Sequence, residues 1–478
     1  MKTNRAFIRI ILAAIAVAII AGVITYRPKS IQKEITLCVT LSSKDALACR
    51  AYYLKSGEED NSFTEAESAG ASYPGGGEDE TIEITLPYDA SVIRFDPAAS
   101  EGDVLVSDVE LQHDGKKITA FSLENDIEKT SSVVISRYGD DDYTLSLTGD
   151  DGYIVFKPVD TASVEAAIDR IEAEEAAEPL STEEIVIRAL ICVAVGLIFL
   201  LLVLKPGLLF YIPSEILKSR KLVQSLGRND FKNKFAGSFF GTFWAFVQPV
   251  VTIFVYWFVF QRALNVGTQA TKGGIAVPYV LWLLSGLVPW FFFSDAASSG
   301  SNALLEYTYL VKKVVFRVSC LPVVKVASSL YVHFFFIAFT LLMYTFYGMF
   351  PGLYSFQLLY YSSALLINVT GLVYLTSSIV AFFRDMMQIV NIGLQVGVWF
   401  TPIMWNIDSM NVSGALLVIL KANPLYYIVM GYRDSLINHI WFWQRPGITL
   451  YFWMFTILLF ICGTYVFRKL QPHFADVL

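Results

Sequence analysis

Four histidines, His113, His333, His439 and His473, lie far apart in the chain and show no metal-ligand spacing. No HExxH, GxSxG or CxxC motif accompanies them, and no G-x-x-x-x-G-K-[ST] loop offers a cradle for ATP phosphates. The triplet Asp140-Asp141-Asp142 has a D-x-D arrangement able to hold a metal and a nucleotide sugar. It follows Gly139 between two strand-like runs, where a solvated hairpin turn is the better reading and calcium binding the remaining one. Cys192, Cys320 and Cys462 fall in or beside apolar runs and read as small hydrophobes. Cys38 and Cys49 lie in an acidic segment, where a disulfide and two reduced thiols on neighbouring strands both stand open. These residues point away from catalysis: no enzymatic activity, no metal and no cofactor bound by this chain are expected.

The informative charges are those beside apolar runs. Arg228, Lys232 and Lys234 directly precede Phe239–Gln261, an uncharged, aromatic-rich stretch long enough to cross a bilayer. Basic residues at that edge put the preceding loop in the cytoplasm. The chain is 55% hydrophobic and 15% aromatic with only 17% charged residues, and its mean hydropathy is +0.51. That composition belongs to the membrane class. The net charge of −7 conceals a segregation: 35 of the 43 acidic residues but 13 of the 36 basic ones fall between Arg27 and Glu184. An acidic block outside and a basic membrane portion inside satisfy the positive-inside rule, and neither half suggests nucleic acid as a partner.

These charges must be positioned by spans and one intervening domain. Residues 1–27 read as an uncleaved N-terminal anchor, a cleaved signal peptide being the alternative. Residues 28–160 carry the alternating segments Ile35–Thr40, Thr81–Leu86, Val104–Leu111, Ser131–Ser136 and Tyr143–Leu147. Turn chemistry separates them at Gly75-Gly76-Gly77, Asp114-Gly115, Gly139 to Asp142 and Gly149 to Gly152, which predicts a small β-sandwich. Residues 161–184 read as an acidic amphipathic helix and 185–204 as a second anchor. Residues 205–237 form an interfacial region, and 238–478 contain six core spans: Phe239–Phe260, Ile275–Phe293, Leu321–Tyr347, Gln357–Phe383, Ile389–Trp405 and Ile448–Phe467. The fold class is therefore a polytopic α-helical membrane protein, six core spans plus two extra N-terminal ones, with an inserted extracytoplasmic β-sandwich-like domain. Both termini are expected inside, residues 28–184 outside, and the chain in the cytoplasmic (inner) membrane.

Within this frame Pro206 to Leu226 reads as an amphipathic helix lying at the membrane surface. Leu209, Ile212, Ile216, Leu217 and Val223 are near one side, with Lys218, Arg220 and Lys221 free for phospholipid headgroups. Arg384-Asp385 ends one span and suggests an ion pair at the membrane edge, with capping and anchoring as alternatives. Trp244, Tyr256, Trp257, Trp282 and Trp290 are candidates to line a passage by stacking on sugar rings; interfacial belt and packing roles compete with that reading.

The order of phrases from Leu208 to Leu478 resembles ABC-2 type permeases that export polysaccharides, O-antigens or teichoic acids. Asp230 to Pro249 (D-F-K-N-K-F-A-G-S-F-F-G-T-F-W-A-F-V-Q-P) is similar to the start of that family's first core span. Pro278 to Trp290 is similar to its second, and Tyr309 to Lys325 to a cytoplasmic loop in which Arg317 here replaces the commoner proline. Phe383-Arg384-Asp385, Trp399 to Ile403, Asn423-Pro424, Tyr432-Arg433 and the C-terminal F-A-D-V-L follow in family order. The resemblance implies an ATPase-coupling loop at Glu306, Tyr307, Tyr309 and Leu310, and an interfacial or gate helix carrying Ile216, Lys218, Arg220, Lys221 and Arg228. It implies short re-entrant helices within Asn406 to Ile440. It also implies partners: an ABC ATPase subunit that holds ATP and Mg, a second copy of the chain, the lipid bilayer and a lipid-linked polysaccharide. The segment Ser91 to Pro97 resembles an "IRxDP" phrase of accessory β-domains in polysaccharide synthesis. The domain around it is expected to contact the emerging glycan, with solubility or docking to an envelope partner as alternatives. An exporter of drugs or lipids and a non-transporting scaffold are the other function classes.

Overall fold

The computed structural model describes residues 2–25, 33–56, 62–64, 67–98, 102–138, 142–149, 151–177, 182–234, 237, 239–264, 269–270, 276–312, 317–407 and 414–478. Two compact units emerge: Arg27–Leu180 with Thr268–Val277, and Met1–Tyr26 with Ser181–Gly267 and Pro278–Leu478.

Before Thr161 the described residues of the first unit form eleven strands: β1 (Glu34–Ser42), β2 (Leu47–Lys55), β3 (Ser68–Tyr73), β4 (Glu80–Pro87), β5 (Ala90–Ala98), β6 (Gly102–His113), β7 (Lys116–Ala120), β8 (Ile127–Ser131), β9 (Val133–Arg137), β10 (Tyr143–Leu147) and β11 (Gly152–Phe156). One antiparallel sheet runs β4-β1-β6-β10-β9 with β7 on β6; the other runs β3-β2-β5-β11-β8. Alternate residues of both sheets share one core, among them Ile35, Leu37 and Val39 from the first sheet and Ala51, Phe95 and Ile154 from the second. This is the expected sandwich. Helix α2 (Thr161–Ala177; α1 is given below) adds Val164 and Ile168 to that core, and Lys33 pairs with its Glu165 and Asp169, both at 2.8 Å.

Asp114 and Gly115 both have positive φ, 48° and 77°, the geometry of a two-residue I′ hairpin between β6 and β7. The expected single strand Ser131–Ser136 is instead cut at Ser132, whose φ of 50° turns the chain out of one sheet and into the other. Asp140 and Asp141 lie outside the described residues. Of the two readings left open for the cysteines, strand period favours the reduced one. Val39 and Leu37 face inward on β1, so Cys38 between them faces the opposite side, whereas Cys49 on β2 points into the core and its thiol reaches Pro97 O at 3.0 Å. Both thiols are free. Burial pushes Cys49 up to about 12; burial and then Glu83, Glu110 and Asp108 push Cys38 up to about 11. Neither should react with iodoacetamide at neutral pH in the folded chain; rapid alkylation, or a Cys38–Cys49 disulfide by mass spectrometry, would contradict this arrangement.

The second unit is helical. Helices α1 (Lys2–Thr25) and α3 (Thr182–Leu204) stand where the two anchors are expected, and Arg188 Nη1 donates to Ile24 O at 3.0 Å. Next come α4 (Pro206–Lys218), α5 (Arg220–Asn233), α6 (Trp244–Trp257), α7 (Tyr279–Ser301), α8 (Ala303–Glu306) and α9 (Thr308–Val311). The chain ends with α10 (Leu321–Phe346), α11 (Gln357–Phe382), α12 (Met386–Phe400), α13 (Gly414–Ala422), α14 (Pro424–Arg433), α15 (Pro446–Leu470) and α16 (Phe474–Val477). Among the described residues five helical segments are long and apolar enough to cross a membrane: Gly241–Ala263, Tyr279–Ser301, Val318–Phe346, Leu353–Phe382 and Pro446–Val477. The fifth expected core span, Ile389–Trp405, is short. Helix α12 has 15 residues, roughly 22 Å at 1.5 Å per residue against a hydrocarbon core of about 30 Å. It stops at Thr401, which is extended (φ −92°, ψ 129°) because Pro402 disfavours helix in the residue before it. Helices α13 and α14, of 9 and 10 residues, are too short to cross, in keeping with the irregular region expected there.

Candidate functional site

Helix α5 buries Val223 and Gly227, and the same stripe continues at i+7 and i+8 with Asp230 and Phe231. That face lies on α10. A Cβ on Gly227 would stand 3.3 Å from the Ala327 Cβ, and the Phe231 and Tyr331 rings lie 5.4 Å apart. The spacing therefore carries a carboxylate into an apolar contact, where it needs a cation. Lys325, in the second turn of α10, supplies it at 2.7 Å from Asp230 Oδ1; the two side chains are 9% and 10% exposed.

Lys325 also pairs with Glu306, which closes helix α8. The chain leaving α7 breaks at Asn302, forms α8, breaks again at Tyr307 (φ −102°, ψ 26°) and forms α9. Asn302 donates to Glu306 at 3.0 Å, and the Tyr307 hydroxyl donates to Asp230 Oδ1 at 2.6 Å. Burial, and then that hydrogen bond, hold the Tyr307 phenol well above its ordinary range, so it remains a donor. The Lys325 ammonium lies 5.0 Å over the Tyr307 ring. One turn further along α10, Ser329 donates to Asp295 of α7 at 2.7 Å, and Lys234 pairs with the same carboxylate. Asp230, Glu306, Tyr307 and Lys325 line a polar cavity of about 310 Å³ together with Lys234 and Ser329. A single lysine thus joins a long helix, a surface helix and a short loop.

The apolar side of the same loop is fixed as firmly. Leu304, Tyr307, Leu310 and Val311 share a cluster with Leu209, Ile212 and Ile216 of α4 and with Tyr374, Phe460 and Phe467 of the long helices. Tyr309, 61% exposed, and Lys312 face outward, and Glu306 is also exposed. The loop residues Glu306, Tyr307, Tyr309 and Leu310 are therefore divided: two sides bound to the helical unit and one side open.

The expected continuous surface helix is two helices that meet at Ser219, a buried residue with φ −115° and ψ 18°. Arg317, the departure from the family phrase, has a place at this junction: its guanidinium lies 3.2 Å from Ser219 Oγ and 3.7 Å from Glu215. Lys218, Arg220, Lys221 and Arg228 are exposed, while Ile216 packs inward.

One sequence expectation changes. No ion pair joins Arg384 to Asp385: both are exposed in the turn before α12, and neighbouring residues on a helix do not face one another. Trp282, 2% exposed, carries the Arg433 guanidinium 3.6 Å over its ring, and Arg433 Nη2 donates to Ile403 O at 2.9 Å. Trp290, 7% exposed, lies against Gly397 of α12. Both are packed within the chain. Trp244 is exposed and Tyr256 and Trp257 are half-buried on α6.

Asp230, Lys234, Asp295, Lys325 and Ser329 were not singled out from sequence for this role. The available signal was an ionisable residue inside an apolar run, as at Asp295 and Lys325.

Several apolar helices of spanning length with charges gathered at the C-terminal end of α7 and the N-terminal end of α10 define a polytopic membrane protein. More particularly, residues 221–437 match the family described as ABC-2 type transporter. That region contains α5, the loop and α10, and so the whole charged cluster. Two relatives from Klebsiella pneumoniae, both named "O-antigen export system permease protein RfbA", are each 26% identical over 260 residues, covering 54% of this chain and 95% of the relative. A protein of the same name from Myxococcus xanthus is 24% identical over 265 residues, 55% of this chain and 97% of its own length. The β-sheet domain lies N-terminal to the family match.

Proposed function

We propose that this chain is the permease subunit of an ABC exporter that moves a lipid-linked polysaccharide of O-antigen, capsule or teichoic acid type across the cytoplasmic membrane. A separate ATPase chain binds ATP and Mg, and two copies of the permease form the conduit. The family match and the relatives' names support the transport class. The observation that carries the mechanism is Lys325, held at once by Asp230 of α5 and Glu306 of the loop.

An ATPase that grips the open side of the loop, at Glu306, Tyr309 and Lys312, pulls on α7 through the chain and on α5 and α10 through ions. In this reading the basic face of α5, Arg220, Lys221 and Arg228, meets headgroups on the cytoplasmic side, and the β-domain stands outside.

Deleting the gene should abolish the surface polysaccharide, as read by gel profile and sugar analysis of the envelope. An unchanged envelope overturns the reading. Charge reversal by Glu306→Lys should also remove a P-loop ATPase from the material that co-purifies with the chain. Undiminished co-purification would detach that residue from coupling.

A further inference from the structure

In the sheet β3-β2-β5-β11-β8, alternation sends Cys49, Ala51, Ile93, Phe95 and Ile154 into the sandwich core. Tyr52, Arg94, Asp96 and Tyr153 therefore stand on the outer face, in adjacent strands, with Tyr52 opposite Arg94 and Arg50 opposite Asp96. The Arg94 guanidinium is centred on this face, 3.8 Å from the Tyr153 ring centroid and 5.0 Å from that of Tyr52. Asp96 holds it flat through Nε at 2.8 Å and Nη2 at 2.7 Å, and Asp151 accepts from Nη2 at 3.2 Å. Among the described residues Arg94 Nη1 and the Tyr153 hydroxyl make no hydrogen bond. Arg94 and Asp96 keep 17% and 19% of their side-chain surface exposed, and Asp151 keeps 80%. The result is a fixed platform: rings on either side of a planar fork, with donors and carboxylate oxygens left facing solvent.

We propose that this platform binds a neutral polysaccharide, and specifically the polymer that the chain exports. The substrate identity rests on the export reading; the binding chemistry does not. Arg94 is balanced by Asp96 and Asp151, so the platform has no net positive field to attract a polyanion. The surrounding segment is strongly acidic and repels one. Sugar hydroxyls accept from guanidinium and phenol and donate to carboxylates, and the C–H faces of sugar rings lie on aromatic rings. The rings and fork are held before any ligand arrives, which lowers the ordering cost of binding.

The test uses the full chain in lipid nanodiscs, titrated with delipidated surface polysaccharide from the source organism, with dextran and alginate as unrelated neutral and acidic polymers. Saturable binding of the source polymer is expected, with alginate no tighter than dextran. Tyr153→Ala should weaken it by about tenfold or more, the loss of one aromatic stack with its hydroxyl. Arg94→Gln should do the same, whereas Val134→Ala, an exposed position on the other sheet, should leave it unchanged. Absence of binding by the intact chain, or wild-type affinity in both Tyr153→Ala and Arg94→Gln, overturns the proposal. If binding fails while the deletion strain still loses its surface polymer, the platform alone is wrong. If the platform binds a glycan and the deletion strain keeps its polymer, the export reading is wrong instead.

Discussion

Lys325→Met is expected to destabilise the helical unit by about 3 kcal/mol, the lower end of what removing one member of a buried ion pair costs. The cost falls on Asp230. Its carboxylate is 10% exposed and would be left with the Tyr307 hydroxyl as its remaining partner among the described residues. Glu306 contributes less, because 43% of its side chain already meets water and re-solvates when the lysine is gone. The double variant Lys325→Met with Asp230→Asn removes both charges and should recover much of the stability lost in the single variant. It should not recover export, because the link from α5 and the loop to α10 is still cut. Thermal unfolding in detergent measures the first statement and surface polysaccharide the second. A Lys325→Met chain as stable as wild type would mean that water reaches Asp230 freely. Full export by the stable double variant would remove the cluster from the coupling path.

How far this could be read in the sequence depends on whether the information is local. Strand period and turn residues placed β1, β4, β6 and β10, since Ile35–Thr40 or Tyr143–Leu147 alternate visibly. They missed β2 and β5, where Tyr52-Tyr53-Leu54 and Ser91-Val92 blur the alternation, and with them the platform around Arg94. The break at Ser132 was invisible because a left-handed serine is set by the sheets it joins rather than by its own preference.

The same division holds in the helices. Hydropathy placed the five long spans, and Pro402 was legible as the residue that cuts α12 short. The loop at Glu306 to Leu310 was legible as a short segment between two spans. That Asp230, some eighty positions earlier, accepts from Tyr307 was not, because only the packing of α5 on α10 brings them together. The contact of Trp282 with Arg433 was not legible either: aromatic residues in a conduit and aromatic residues under a buried arginine have the same sequence appearance.

Gly463→Leu is expected to have the largest effect of any single substitution in the long helices. Helices α11 and α15 meet backbone to backbone: a Cβ on Gly463 would stand 2.4 Å from Gly371 O, and one on Gly371 would stand 3.0 Å from the Phe460 Cα. Asn368 donates to Thr456 at 2.9 Å across the same contact. No side chain lies in the way to swing aside, so the helices themselves must separate. Close approach of small residues is what holds helices together where lipid competes on equal terms with apolar side chains. Even Gly463→Ala should cost about 1–3 kcal/mol by overpacking, and leucine more. Gly447→Ala, near the start of α15 with nothing within 4 Å of its Cβ position, is the matched control and should be neutral. Separation at Gly463 also moves Phe460 and Phe467, which share their cluster with Leu304 and Val311 of the loop. A Gly463→Ala chain that remains partly folded should therefore lose ATPase association in proportion to its loss of stability. Unaltered unfolding in both Gly463 variants would show that α11 and α15 do not touch in the folded protein.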